Sequence, residues 1–142
     1  MNVNVPVHSR SERIELIGRV LNLRARHDYP ALEACFTPDA IFWLIGRRAY
    51  IPFAGKHLGR AAMTAALRRM DSEIEYLGFG NCTPVVDGDR AAVRWQARVR
   101  NLGTGAEVRM KGFAHLVFSH NLISEFTYFL DTRVIAELVS RE

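Results

Sequence analysis

The sequence predicts an α+β domain in which helices pack on one face of a curved antiparallel sheet. Three observations lead there. The N-terminal half carries three stretches with apolar residues at helical spacing. From Glu73 onward, strand-length segments follow one another with short turns between them. The late strands carry apolar residues on both faces, so each face needs a cover.

The first helix begins near Ser9, where Ser9 and Glu12 have capping-box spacing. Ile14, Ile17 and Leu21, with Leu16, Val20 and Leu23, form its apolar stripe, and Arg13, Arg19, Arg24 and Arg26 fall mostly off it. His27-Asp28-Tyr29-Pro30 ends this helix and opens a short second one through Phe36. Asp28 is the cap, and Pro30 sits in the first turn, where its missing N–H is harmless. Thr37-Pro38-Asp39 breaks the chain before a strand at Ala40–Ile45 that is apolar on both faces. Tyr50–Ala54, interrupted by Pro52, reads as an edge or irregular segment. Gly55 and Gly59 flank a connection into a third helix, Arg60–Met70.

Ile74–Phe79 is the next strand, interrupted at Asn81-Cys82-Thr83-Pro84 before Val85-Val86. Asp87-Gly88-Asp89 is a hairpin turn. Ala91–Arg100 alternates strictly, with Val93, Trp95, Ala97 and Val99 opposite Arg94, Gln96, Arg98 and Arg100. Val108–Ser119 and Leu122–Leu130 join through Ser119-His120-Asn121. Asp131-Thr132 caps a last short helix, Arg133–Val139. The expected organisation is one domain over residues 9–142 behind a flexible stretch, residues 1–8.

At 142 residues and 49% apolar composition, the chain can bury a core without disulfides or metal. Cys35 and Cys82 are read as buried free thiols in a reducing compartment. Five scattered histidines have no metal-ligand spacing, so neither metal nor cofactor is expected. The net charge of +4 comes mainly from arginines dispersed among acids, which argues against a nucleic-acid partner. No run reaches the length of a membrane span and the N-terminus lacks the apolar core of a signal peptide. A cytoplasmic location follows as an expectation. A monomer would leave one apolar sheet face wet, so a homodimer through the sheet is expected.

Three local patterns, taken with the element order, resemble the SnoaL-like, ketosteroid-isomerase-like branch of the nuclear transport factor 2-like superfamily. They are Ala34-Cys35-Phe36-Thr37-Pro38-Asp39-Ala40, Ala54-Gly55-Lys56-His57-Leu58-Gly59-Arg60 and Phe129-Leu130-Asp131-Thr132, and the resemblance spans residues 11–139. It implies a cystatin-like fold: a cone-shaped, curved antiparallel sheet wrapped by three to four helices around an apolar pocket, commonly dimeric through the sheet. It also implies a small, largely apolar, carbonyl-bearing ligand of polyketide, steroid or terpenoid type. The implied chemistry is isomerisation, cyclisation or dehydration by proton transfer. A non-catalytic binding or assembly module of the same fold is the alternative.

The residues disfavour the best-known relatives. The position resembling the isomerase base falls on Leu44 and that of its protonated acid on Ala114; neither carries a proton. The epoxide-hydrolase asparagine and tyrosine positions fall on Leu44 and Phe42. Arg94 could stand for that family's arginine, but the acids flanking it would be Gln96 and Tyr128.

Strand parity then suggests a pocket lined by Leu16 and Val20, Phe42 and Leu44, and Ala114, Leu116, Phe126 and Tyr128, with Tyr50 and Phe53 at the mouth. Tyr128 is either a core tyrosine or the donor to a ligand oxygen. Asp131 is either a helix cap or a catalytic base, as an acid near this strand end is in cyclase relatives. Arg94 could hold a ligand oxygen or lie on the surface. His115 reads as a core or interface residue and His57 as a loop residue that could reach the pocket mouth. Trp43 and Trp95 read as core or interface packing.

Overall fold

Burial of one stripe on each helix against a common sheet organises the computed structural model, which describes residues 7–138. Helix α1 (Val7–Ala25) lies across the sheet and buries Ile17, Val20, Leu23 and Arg24. Helix α2 (Tyr29–Glu33) starts at Asp28, whose Oδ1 accepts from Ala31 N at 3.3 Å, and Pro30 occupies its first turn. Helix α3 (Arg60–Asp71) buries Met63, Leu67, Met70 and Asp71. Helix α4 (Thr132–Leu138) begins at Asp131, whose Oδ1 accepts from Val134 N at 3.3 Å. Among the described residues no helix is long and apolar enough to cross a membrane.

The strands are β1 (Phe36–Leu44), β2 (Gly55–Leu58), β3 (Ile74–Asp87), β4 (Arg90–Asn101), β5 (Glu107–Ser119) and β6 (Leu122–Leu130). They form one six-stranded sheet in the order β2-β1-β6-β5-β4-β3. The expected α+β class holds, but the cone-shaped antiparallel sheet does not. The sheet is neither closed nor strongly curled, and β2 and β3 remain as its two edges. It is also mixed. The chain leaves β1 through β2 and α3, and the meander returns β6 beside β1 in parallel, pairing Phe42 with Phe126 and Leu44 with Tyr128.

Strand alternation separates two faces. On the inner face, β4 buries Ala91, Val93, Trp95, Ala97 and Val99. The outer face presents Arg94, Gln96, Arg98, Arg109, Lys111 and His115. It also presents the rings of Trp43, Phe113 and Phe129, each 43–44% exposed.

Several boundaries differ from the sequence reading. Helix α1 begins at Val7, so Ser9 lies within the helix and not at its start, and part of residues 1–8 is helical. The remainder of that stretch, residues 1–6, lies outside the described residues, as does Val139. Thr37-Pro38-Asp39 belongs to β1, accommodated by an irregularity in the β6 pairing between Phe36 and Ile41. Tyr50–Ala54 forms turns, and the edge strand is Gly55–Leu58. Asn81–Pro84 does not break β3, because the register shift between Gly80 and Thr83 absorbs it as a bulge. Of the two thiols, Cys35 is buried but Cys82 is exposed on β3.

Candidate ligand site between the first helix and the sheet

Three successive residues in space set the floor of the site. Val93 on β4 pairs with Ala114 on β5, which pairs with Tyr128 on β6. Leu116 and Phe126 form the next row. Ile17, Val20 and Leu21 of α1 cover these side chains, and Trp95 closes one side. The resulting pocket is apolar and aromatic. The space left inside is ≈ 10 Å³, about enough for one water.

Trp95 is held in place by a missing side chain. Its register partner is Gly112, and a Cβ there would overlap the indole ring. The indole therefore lies against β5 and stacks on Tyr128, with ring centroids 5.3 Å apart and planes inclined by 30°. Phe79 meets Trp95 edge-on at 5.9 Å and stacks on Tyr76 at 5.2 Å.

A charged cluster adjoins this aromatic wall. Arg24 extends from α1 into the interior with 1% exposure. Its Nη2 donates to Asp71 Oδ1 at 2.9 Å and to Tyr76 Oη at 2.6 Å. Tyr29 Oη donates to the other Asp71 oxygen at 2.9 Å. The guanidinium carbon lies 5.4 Å from the Tyr76 ring centroid and 5.3 Å from that of Tyr128, a cation–π sandwich. Four buried polar atoms here have no hydrogen-bond partner among the described residues: Arg24 Nε and Nη1, Trp95 Nε1 and Tyr128 Oη. Burial pushes the Tyr128 phenol above its ordinary pKa, against the opposing pull of Arg24. Tyr128 thus stays protonated at neutral pH and can donate a hydrogen bond. Desolvation is the largest single effect on Arg24 and lowers its pKa, but the attraction and hydrogen bond of Asp71 together with the attraction of Tyr76 and Tyr128 outweigh it and push the pKa up.

Of the residues the sequence singled out, Val20, Ala114, Leu116, Phe126 and Tyr128 line the pocket. Phe42 and Leu44 pack in the core behind it, the Phe42 ring 5.5 Å from that of Phe126. Phe53 is also a core residue, while Leu16 is only half-buried at the core's edge. Tyr50 is 48% exposed and stacks under Arg47, so it does not close a mouth. Arg94 lies outside the interior: strand alternation puts it on the outer face, in a surface groove of ≈ 450 Å³ with Lys111, Phe113 and Phe129. Asp131 is exposed and engaged as the cap of α4. His57 is in β2, its Nε2 2.8 Å from Phe53 O. The Arg24–Asp71 pair was missed because charged side chains were read as solvated. Arg24 stands seven residues after Ile17 and Asp71 four after Leu67, on the apolar stripes, but nothing local to either helix marks the two as partners.

The fold recurs in solved structures. A nuclear transport factor 2-like protein from Burkholderia xenovorans superposes with TM-score 0.76 at 21% identity, over 92% of this chain and 97% of that one. A candidate polyketide cyclase from Xanthomonas campestris gives TM-score 0.78 at 18% identity, over 93% and 99%. A candidate isomerase from Rhodopseudomonas palustris gives 0.78 at 16% identity, over 89% and 94%. At these identities the likeness shows the fold alone. No functionally curated protein matches the sequence. The SnoaL-like domain family, in contrast, matches residues 17–126, the span that carries the second half of α1, the pocket residues Val93, Ala114, Leu116 and Phe126, and the Arg24–Asp71 pair. The chain therefore belongs to the SnoaL-like domain family.

Proposed function

We propose that this protein binds a small, largely apolar, carbonyl-bearing molecule of polyketide, steroid or terpenoid type between α1 and the sheet. One observation carries the reading: an apolar, aromatic pocket between α1 and the sheet, walled by Val93, Trp95, Ala114, Leu116, Phe126 and Tyr128. A pocket wall that is apolar apart from a few placed polar groups is the usual form of a small-molecule site. The remaining space is far below the ~300 Å³ of an ordinary ligand pocket. A ligand therefore enters by displacing α1, which contributes Ile17, Val20 and Leu21 to the lid.

Binding is favoured over turnover. Isomerisation, cyclisation or dehydration by proton transfer needs a base within hydrogen-bond reach of the substrate. Tyr128 is held protonated, both oxygens of Asp71 are engaged, and Asp131 caps α4. The names of the Xanthomonas and Rhodopseudomonas proteins keep the catalytic reading in view, with Tyr128 polarising an oxygen and Asp131 or a water as base. The exposed outer-face aromatics support a homodimer through the sheet.

Native mass spectrometry of protein from its own host tests the pocket. A retained apolar ligand, with slowed amide exchange in α1 relative to the stripped protein, is the expected result. Protein that carries no ligand and gains no α1 protection from hydrophobic ketones would remove the reading.

A further inference from the structure

The outer face of the sheet carries more positive charge than its neighbours offset. Arg94 and Arg98 on β4, with Arg109 and Lys111 on β5, all stand on it and are exposed. Arg98 meets the Glu107 carboxylate only at 3.8 Å. Arg94, Arg109 and Lys111 form no ion pair among the described residues. Arg98 and Arg109 are direct register partners, and like charges set opposite one another on a sheet are destabilising. An anion lying on this face relieves that repulsion.

The cations border hollows rather than a flat surface. Gly78 and Gly80 of the edge strand β3 present no side chain beside their register partners Arg98 and Gln96, and the space over both glycines is open. A hollow of ≈ 410 Å³ runs from there past Gln96, Arg98 and Arg109. At Gln96 it adjoins the ≈ 450 Å³ groove of Arg94, Lys111, Phe113 and Phe129. No carboxylate lines either one. Each is of the size of a small-molecule site, roughly 300–1,000 Å³.

Register fixes what the larger groove offers. Gln96 is opposite Lys111 and Arg94 is opposite Phe113, so Arg94 and Lys111 are diagonal neighbours on one face. Diagonal neighbours stand about 7–8 Å apart along the backbone, within reach of long side chains. Phe113 is in turn opposite Phe129. A cationic end and an aromatic end therefore lie side by side.

We propose that this groove binds an organic anion, a carboxylate or phosphate carried on a ring, with the anionic group between Arg94 and Lys111 and the ring against Phe113 and Phe129. A guanidinium takes either oxyanion through paired N–H donors, and an ammonium adds a point charge. Arg98 and Arg109 extend the positive field into the adjoining hollow. The site lies on the opposite face of the sheet from the space under α1 and does not depend on it. It bears on the homodimer, because two copies meeting through this face set their cations against each other, and an anion in each groove offsets that unfavourable pairing.

Phenyl phosphate, benzoate and neutral benzamide, titrated by calorimetry against the full chain at low salt, test the site. Either anion is expected to bind about tenfold or more tightly than benzamide and to weaken as salt is raised. The backbone amides of Lys111 and Phe113 should shift in NMR as it binds. Tighter phenyl phosphate marks a phosphate site, and tighter benzoate a carboxylate site. Arg94→Gln with Lys111→Gln should bring both anions down to the level of benzamide; both side chains are exposed, so the fold is retained. No binding, anions no tighter than benzamide, or unchanged affinity in the paired variant would each overturn the site and leave the reading under α1 as it stands. Sedimentation velocity with bound anion reads the assembly separately: binding by a dimer supports both the site and the homodimer, and binding by a monomer supports the site and counts against the homodimer.

Discussion

The Arg24 guanidinium and the Asp71 carboxylate meet at 2.9 Å with side-chain exposures of 1% and 0%. They join the end of α1 to the end of α3 beneath the sheet. Removing one partner leaves a buried charge uncompensated, which costs about 3–5 kcal/mol, whereas replacing both with apolar residues is often near neutral. Asp71→Ala is therefore expected to be far more destabilising than Arg24→Met combined with Asp71→Leu. Urea denaturation of both would show it; equal losses would mean that the pair is not coupled.

Alkaline pH should unlock the same region. Tyr29, Tyr76 and Tyr128 all have their phenol pKa pushed up, chiefly by burial, with Asp71 adding to it at Tyr29 and Arg24 opposing it at Tyr76 and Tyr128. A folded-state pKa above the unfolded one favours the folded protein while the phenol is protonated. That stability is fully present below the ordinary tyrosine pKa of about 10 and is lost as pH rises beyond it. Urea midpoints should hold steady through neutral pH and fall above about pH 10, and tyrosinate absorbance should rise together with unfolding. Ionisation of all four tyrosines without unfolding would contradict the burial of these three.

The legible and illegible parts of this fold divide along physical lines. Helices α2 and α3 and strands β4, β5 and β6 follow from local signals, namely stripe period, the Asp28 cap, strict alternation and the Asp87–Asp89 turn. Alternation also placed Ala114, Leu116, Phe126 and Tyr128 on the pocket face. What local signals could not carry was pairing at a distance. The parallel contact of β1 with β6 and the open sheet depend on which strand edges meet after a long crossover. Arg24 and Asp71 belong to the same class: each violates its own helix stripe, and only the other's position on a different helix explains why it is tolerated.

Gly112 should be intolerant of the smallest side chain. A Cβ there would overlap the Trp95 ring, and the indole is packed on its other face by Tyr128. Gly112→Ala forces Trp95 off its stacking position, an overpacking change worth about 1–3 kcal/mol. Denaturant midpoints would report the loss and near-ultraviolet circular dichroism the displaced indole. An unperturbed aromatic spectrum would mean that β5 yields without moving Trp95.

The outer face offers a direct test of assembly. Phe113 and Phe129 are register partners, both 44% exposed, beside the half-exposed Trp43. Phe113→Asp places a charge between Phe129 and Arg94 and, if this face joins two copies of the chain, should leave monomers without altering the fold. Sedimentation velocity would show the change in mass and circular dichroism the retained structure. A variant that sediments as the parent protein does would exclude this face as the interface.

Asp131 separates capping from chemistry through the choice of substitution. Its Oδ1 accepts from Val134 N and its backbone carbonyl from Ile135 N, so it terminates β6 and starts α4 at once. Asparagine caps helices about as well as aspartate, whereas alanine loses about 0.5–2 kcal/mol. If Asp131 is only a cap, Asp131→Asn keeps both stability and ligand affinity, and Asp131→Ala loses stability alone. If it serves as a base, Asp131→Asn keeps stability and abolishes turnover of an enolisable ketone, because an amide cannot take the proton. Melting curves and turnover of the two variants, side by side, distinguish the roles. The engaged position of the carboxylate leads us to expect the first outcome.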